Sequence, residues 1–104
     1  MNFDDAFALS ALREMYAAFG VDARVTRGTE ASVPVRIIVN RGEVRLGEYG
    51  QAVGLVDSVS FLYEQWRPRQ GDVVAWSDRL GDHAKRVERP RREDGLEVEV
   101  TLNG

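Results

Sequence analysis

The sequence predicts an α+β domain: one N-terminal helix packed on an antiparallel β-sheet that curls into a roll or partial barrel, with one long mobile arm. Three observations predict it. Apolar residues recur at helical spacing only before Gly20. After Gly20, apolar and polar residues alternate in about six short runs separated by turn residues. Between two of those runs lies Arg41 to Gly54 (RGEVRLGEYGQAVG), which is long for a connection inside a small domain. Strands in series, joined by hairpin-length turns and not interleaved with helices, argue against a parallel doubly wound sheet. The 104 residues make one domain, with the helix over 4–19, the β region over 21–103 and the arm over 41–54.

The helix starts at Asp4 or Asp5, either of which suits an N-cap and the positive end of the helix dipole. Ala8, Leu12, Met15 and Phe19 form its apolar stripe, flanked by Leu9 and Tyr16. Gly20 is placed to end it in a left-handed conformation. With one helix in the chain, the stripe must bury against a sheet.

The first strand is Val21 to Arg27, with Val21, Ala23 and Val25 on one face. Gly28 to Ser32 is a turn. Val33 to Asn40 (VPVRIIVN) is the strongest strand, with Val33, Val35, Ile37 and Val39 together and Pro34 near its start. After the arm, Leu55 to Tyr63 alternates again. Pro68 and Gly71 shape the turn that leads into Val73–Trp76. Ser77 to Asp82 reads as a hairpin loop, His83 to Glu88 as a polar strand, and Arg89 to Gly95 as a charged loop. Leu96 to Leu102 closes the sheet, with Leu96, Val98, Val100 and Leu102 inward and Glu97, Glu99 and Thr101 outward.

Composition excludes several functions. The net charge of −3 argues against nucleic acid as the main partner, because phosphate binding needs a basic face. The chain has no cysteine, which removes disulfides and thiolate chemistry. No apolar run approaches a membrane span, and the acidic start MNFDDAFALSAL is unlike a signal peptide, so a cytoplasmic protein without a membrane partner is expected.

No catalytic constellation emerges. His83 is the only histidine, in a polar setting, so no zinc site can be assembled from histidine and cysteine. Asp78, Asp82 and His83 lie close in sequence, but a polar hairpin explains them. The pairs Asp4–Asp5 and Glu93–Asp94 lack the apolar surroundings that shift a carboxyl toward acid–base work. The glycines of Gly42 to Gly47 are not followed by Gly-Lys-Ser/Thr, so there is no P-loop. The expectation is a protein that is not an enzyme and takes no cofactor and no metal.

The arm is the candidate interface. Gly42, Gly47, Gly50 and Gly54 loosen its backbone, while Arg41, Val44, Arg45, Leu46, Tyr49 and Val53 supply contacts of the kind that anchor interfaces. A segment of this kind orders when it binds. Arg89, Arg91 and Arg92 form a second candidate, a basic rim facing passing DNA.

In layout the chain resembles the small head–tail joining (tail-attachment) proteins of lambda-like tailed phages and prophages. The resemblance rests on the short helix ending at Phe19-Gly20, the strand Ala23–Gly28 (ARVTRG), the apolar strand Val35–Val39 (VRIIV), the Gly-containing arm and the strand entering Ser60–Tyr63 (SFLY). Its most specific part is the joint Trp66–Asp72 (WRPRQGD) before Val73-Val74. The resemblance implies a structural virion protein whose copies form an oligomeric ring at the head–tail junction. The ring would sit between the portal or head-completion protein and the tail terminator protein, and would assemble in the host cytoplasm from subunits that are monomeric when free. A tail-completion or terminator subunit, or a small nucleic-acid-binding β-barrel, are the alternatives.

Overall fold

The computed structural model describes residues 3–46, 49 and 52–103. Helix α1 (Phe3–Phe19) precedes six strands: β1 (Val21–Thr26), β2 (Val33–Leu46), β3 (Ala52–Leu62), β4 (Val73–Asp78), β5 (Gly81–Glu93) and β6 (Glu97–Asn103). Every strand pairing is antiparallel. The strands run β1-β2-β3-β6-β5-β4 around a closed barrel. The expected partial barrel is therefore complete, because β1 pairs with β4 through Ala23↔Trp76 to Thr26↔Val73. Closure removes the open edges that an incomplete roll would expose.

Strand alternation fills the barrel. Val25, Ile37, Val59, Phe61, Val74 and Val100 are fully buried inside it, together with Trp76, Val87, Val98 and Leu102. The tight connections use the turn chemistry the sequence offers. Gly81 adopts φ 119° and Gly95 φ 89°, both in the left-handed region that glycine enters without a Cβ penalty. Asp94 Oδ1 accepts from the Leu96 and Glu97 amides at 3.0 and 2.9 Å, fixing the β5–β6 turn.

Several boundaries differ from expectation. The connection at 77–82 shrinks to Arg79 and Leu80, because cross-strand pairing continues to Asp78↔Gly81. The charged segment after Glu88 is not a loop: β5 pairs with β6 out to Glu93↔Val98. Pro90 is accommodated there, beside register irregularities at Val87/Arg89 and Pro90/Arg92. The expected arm is also largely strand. Positions 41–46 belong to β2 and 52–54 to β3, paired as Val44↔Leu55, Arg45↔Gly54 and Leu46↔Ala52. Arm positions 47, 48, 50 and 51 lie outside the described residues.

The helix packs on the outside of β2 and β3, but with a different face from the one expected. Leu9, Tyr16 and Leu62 form a small cluster with Leu12 and Ile38. Met15 and Phe19, expected in the buried stripe, are 38% and 76% exposed. The docking is set by polar partners as well as apolar ones. The Tyr16 hydroxyl donates to Glu97 Oε2 at 2.6 Å, and burial, reinforced by the Glu97 carboxylate, pushes its pKa well above the ordinary tyrosine range. Arg36 donates to the Tyr16 and Ala17 carbonyls at 2.9 and 3.0 Å and to Asp22 at 2.8 Å. Its guanidinium thus satisfies helix C-terminal carbonyls and complements the dipole.

Gly20 ends the helix, though not as a left-handed cap. Among the described residues only Gly28, Gly71, Gly81 and Gly95 have positive φ. Glycine is needed at position 20 by close approach: a Cβ there would lie 2.4 Å from the Tyr16 carbonyl oxygen and 2.8 Å from Arg36 Cγ.

Candidate interaction surfaces

The ladder defines where the barrel stops. β1 pairs with β2 only as far as Ile37, and β6 pairs with β3 only from Asp57 onward. The β2–β3 pairing is irregular between Asn40 and Glu43, then resumes from Glu43↔Val56 to Leu46↔Ala52. Beyond that irregularity, no third strand pairs with the two among the described residues. They form a two-stranded ribbon that leaves the barrel at a bulge, the usual device for re-aiming a strand at a barrel rim. The molecule measures 43 × 34 × 27 Å, with a radius of gyration of 14.5 Å. An equally long compact chain has a radius near ~13 Å.

Of the expected interface residues, Arg41 falls in the bulge, Val44, Arg45 and Leu46 on the outgoing strand, and Val53 on the returning one. Tyr49 sits in a turn and is 89% exposed. Five of these six positions thus lie on the paired β2–β3 segment. The segment is a β-ladder where the sequence reading expected a mobile arm.

Arg89, Arg91 and Arg92 are all exposed, on strand β5. Arg89 is opposite Thr101 and Arg92 opposite Glu99. Arg92 lies 3.9 Å from Glu99, whose carboxylate also accepts from Ser58 at 2.8 Å and Asn40 at 3.3 Å. Part of the rim's positive charge therefore faces a carboxylate of the same chain. The outward positions of β6 are not solvated as expected: Glu99 and Thr101 are each only 8% exposed.

The joint Trp66–Asp72 is a structural node. Asp72 is 2% exposed. Arg27 grips its carboxylate with two hydrogen bonds of 2.9 Å, and the Trp66 indole and Arg69 amide donate at 3.1 and 2.9 Å. The Arg27 guanidinium also stacks over Trp66, 4.6 Å from the ring centroid. Burial alone would raise the Asp72 pKa, but these donors outweigh it and hold the carboxyl below its usual range. Gly71, at φ 93°, makes the turn that presents Asp72 to them.

His83 stacks on Trp76 with ring centroids 5.0 Å apart, and its Nε2 lies 3.0 Å from Asp78. Asp82 instead accepts from Ser77. Among the described residues, no three His, Cys, Asp or Glu side chains gather as a metal site would require.

Two further surfaces were not singled out by sequence. One is the outward ridge of α1, where Phe7 is 69% and Phe19 76% exposed. The other is a trough of about 1060 Å³ over β1, β4 and β5 and the start of β2. It includes the exposed Asp22, Arg24, Pro34, Ser77, Asp82 and Ala84, which alternate with the buried Ala23, Val35 and Trp76. The sequence signal for the ridge is the apolar residue at position 7, off the expected stripe. The trough has none, because it is made by four strands distant in sequence. No helix among the described residues is long and apolar enough to cross a membrane. No protein-family model matches the chain, and no curated protein matches it.

Proposed function

We propose that this chain is a structural virion protein of the head–tail junction of a tailed phage or prophage, a non-enzymatic subunit of the ring that joins the DNA-filled head to the tail. The observation that carries the reading is the β2–β3 ribbon beyond the barrel. A two-stranded ribbon is marginal by itself in water. It gains stability by lying on another protein, or by adding its open backbone edges to a neighbouring sheet. A closed barrel has no other long open edge to offer, so the ribbon is the natural contact with the next subunit or with an axial neighbour. The sequence resemblance names those neighbours: the portal or head-completion protein on one side, the tail terminator on the other.

The test is affinity capture of the tagged chain from cells expressing the source phage or prophage, with bound proteins identified by mass spectrometry. Recovery of portal or head-completion protein together with tail terminator is expected. A variant in which residues 43–55 are replaced by a two-residue Asn-Gly turn should lose both. Recovery of tail proteins alone would move the subunit to tail completion. Recovery of nucleic acid without virion proteins would favour a nucleic-acid-binding barrel and overturn the reading.

A further inference from the structure

We infer that copies of this chain associate head to tail, the exposed ridge of α1 on one copy seating in the β1–β4–β5 trough of the next. The inference rests on the ring proposed above and specifies its subunit contact.

Helix α1 is apolar on two sides. Leu9, Leu12 and Tyr16 face the barrel. At 3.6 residues per turn, Phe7, Ala11, Met15, Ala18 and Phe19 fall within an arc of roughly 120° that adjoins the barrel-facing side. All five are exposed. A helix that is apolar on both sides is characteristically covered on both. The fold itself covers only one of them.

The trough lies on the other half of the barrel wall. The helix rests on β2 and β3 and reaches β6 through Glu97. Around the closed order β1-β2-β3-β6-β5-β4, strands β1, β5 and β4 complete the circle away from those three. The ridge and the trough are therefore different faces pointing in different directions. Such a pair makes a heterologous contact, the kind from which rings are built. A self-complementary patch would instead close a two-fold dimer.

The trough offers room, and its flanking charges are opposite in sign to those of the ridge. The trough has small residues, Ala75, Ala84 and Ser77, where larger side chains would fill it. The ridge is edged by the exposed acids Asp4 and Glu14. The trough is edged by exposed Arg24, and by Arg86 at the next outward position of β5 after Ala84. The two carboxylates in the trough are already engaged, Asp22 by Arg36 and Asp82 by Ser77. A helix of this length is about 25 Å long, so one contact falls below the ~1,600 Å² of a standard stable interface. The free chain should accordingly associate weakly, with the ring completed on its axial neighbours.

The test is analytical ultracentrifugation of the purified chain. Wild type is expected to shift from monomer toward higher oligomers as concentration rises to about 1 mM. Phe19→Glu spoils the ridge and Ala84→Arg spoils the trough. Each alone should stay monomeric at that concentration, with a far-UV spectrum and melting curve like wild type. Mixed, they should form a dimer and nothing larger, because the intact ridge of one fits the intact trough of the other. A wild type that remains monomeric throughout, or a mixture that does not dimerise, overturns the inference. Since the isolated chain is measured, capture of virion proteins with a failed complementation would overturn this contact and leave the junction reading standing.

Discussion

Asp72 shows how a single residue can carry more than a local turn. Its carboxylate ties Arg27 of the β1–β2 turn and Trp66 of the β3–β4 connection to the start of β4. Because its pKa is held below the ordinary value of 3.8, it stabilises the fold above that pH, and the contribution is lost as pH falls through the lower folded-state value. Asp72→Asn should therefore cost about 3 kcal/mol at pH 7, as expected for breaking a buried charge pair from one side. Below pH 4 the gap between variant and wild type should narrow. Urea unfolding at pH 7 and at pH 3 measures both, and a gap independent of pH would contradict the assigned role. The joint Trp66–Asp72 stands out in the sequence as a turn. That its aspartate is buried under an arginine thirty-nine positions earlier than the Trp66 ring it also touches is a fact of packing, not of local pattern.

At the scale of elements, the helix illustrates both the reach and the limit of periodicity. Its extent was legible, from the acidic first turn to Gly20. Its phase was not, because apolar residues cover roughly 200° of the circumference, more than one packing face needs. Phe7, Ala8, Leu9, Leu12, Met15, Tyr16 and Phe19 admit more than one stripe, and the Glu97 acceptor for Tyr16 selects among them. Leu9→Ala should therefore cost about 2 kcal/mol in chemical denaturation. Phe19→Ala should stay within about 0.5 kcal/mol of wild type. The opposite ranking would restore the stripe centred on Met15 and Phe19. Gly20→Ala should cost about 1–3 kcal/mol, because the added methyl meets backbone oxygen that cannot withdraw. The expected arm is a second case, since 41–46 and 52–54 are strand and not loop. Glu43-Val-Arg-Leu46 alternates with period two, yet the four glycines of 41–54 weigh toward a loop. Antiparallel pairing nonetheless takes in Gly54, opposite Arg45.

For the whole molecule, the ladder separates barrel from ribbon. Among the described residues, β1 and β6 pair with β2 and β3 only outside 41–56. Shortening the ribbon by replacing 43–55 with Asn-Gly should consequently leave the barrel folded. Its thermal midpoint should move by no more than about 4 °C, the shift that accompanies roughly 0.5–1 kcal/mol in a domain of this size. Loss of cooperative melting in calorimetry would show that the ribbon is part of the folding unit and not an appendage. The same scale decides what the outer surface offers: a ridge on one half of the wall and a trough on the other, a pairing that exists only once six strands have closed.

The sequence by itself determined the helix, the approximate number and antiparallel arrangement of the strands, and the inward residues of β1, the first half of β2 and β6. These follow from local periodicity and turn chemistry, which act over a few residues. Only the tertiary structure decided closure, the face the helix buries, the burial of Glu99 and Thr101 on an outward face, and the grip of Arg27 on Asp72. Each of those depends on which distant strands become neighbours. The free-energy difference between one pairing and another is a sum over contacts at large sequence separation, and no local pattern encodes that sum.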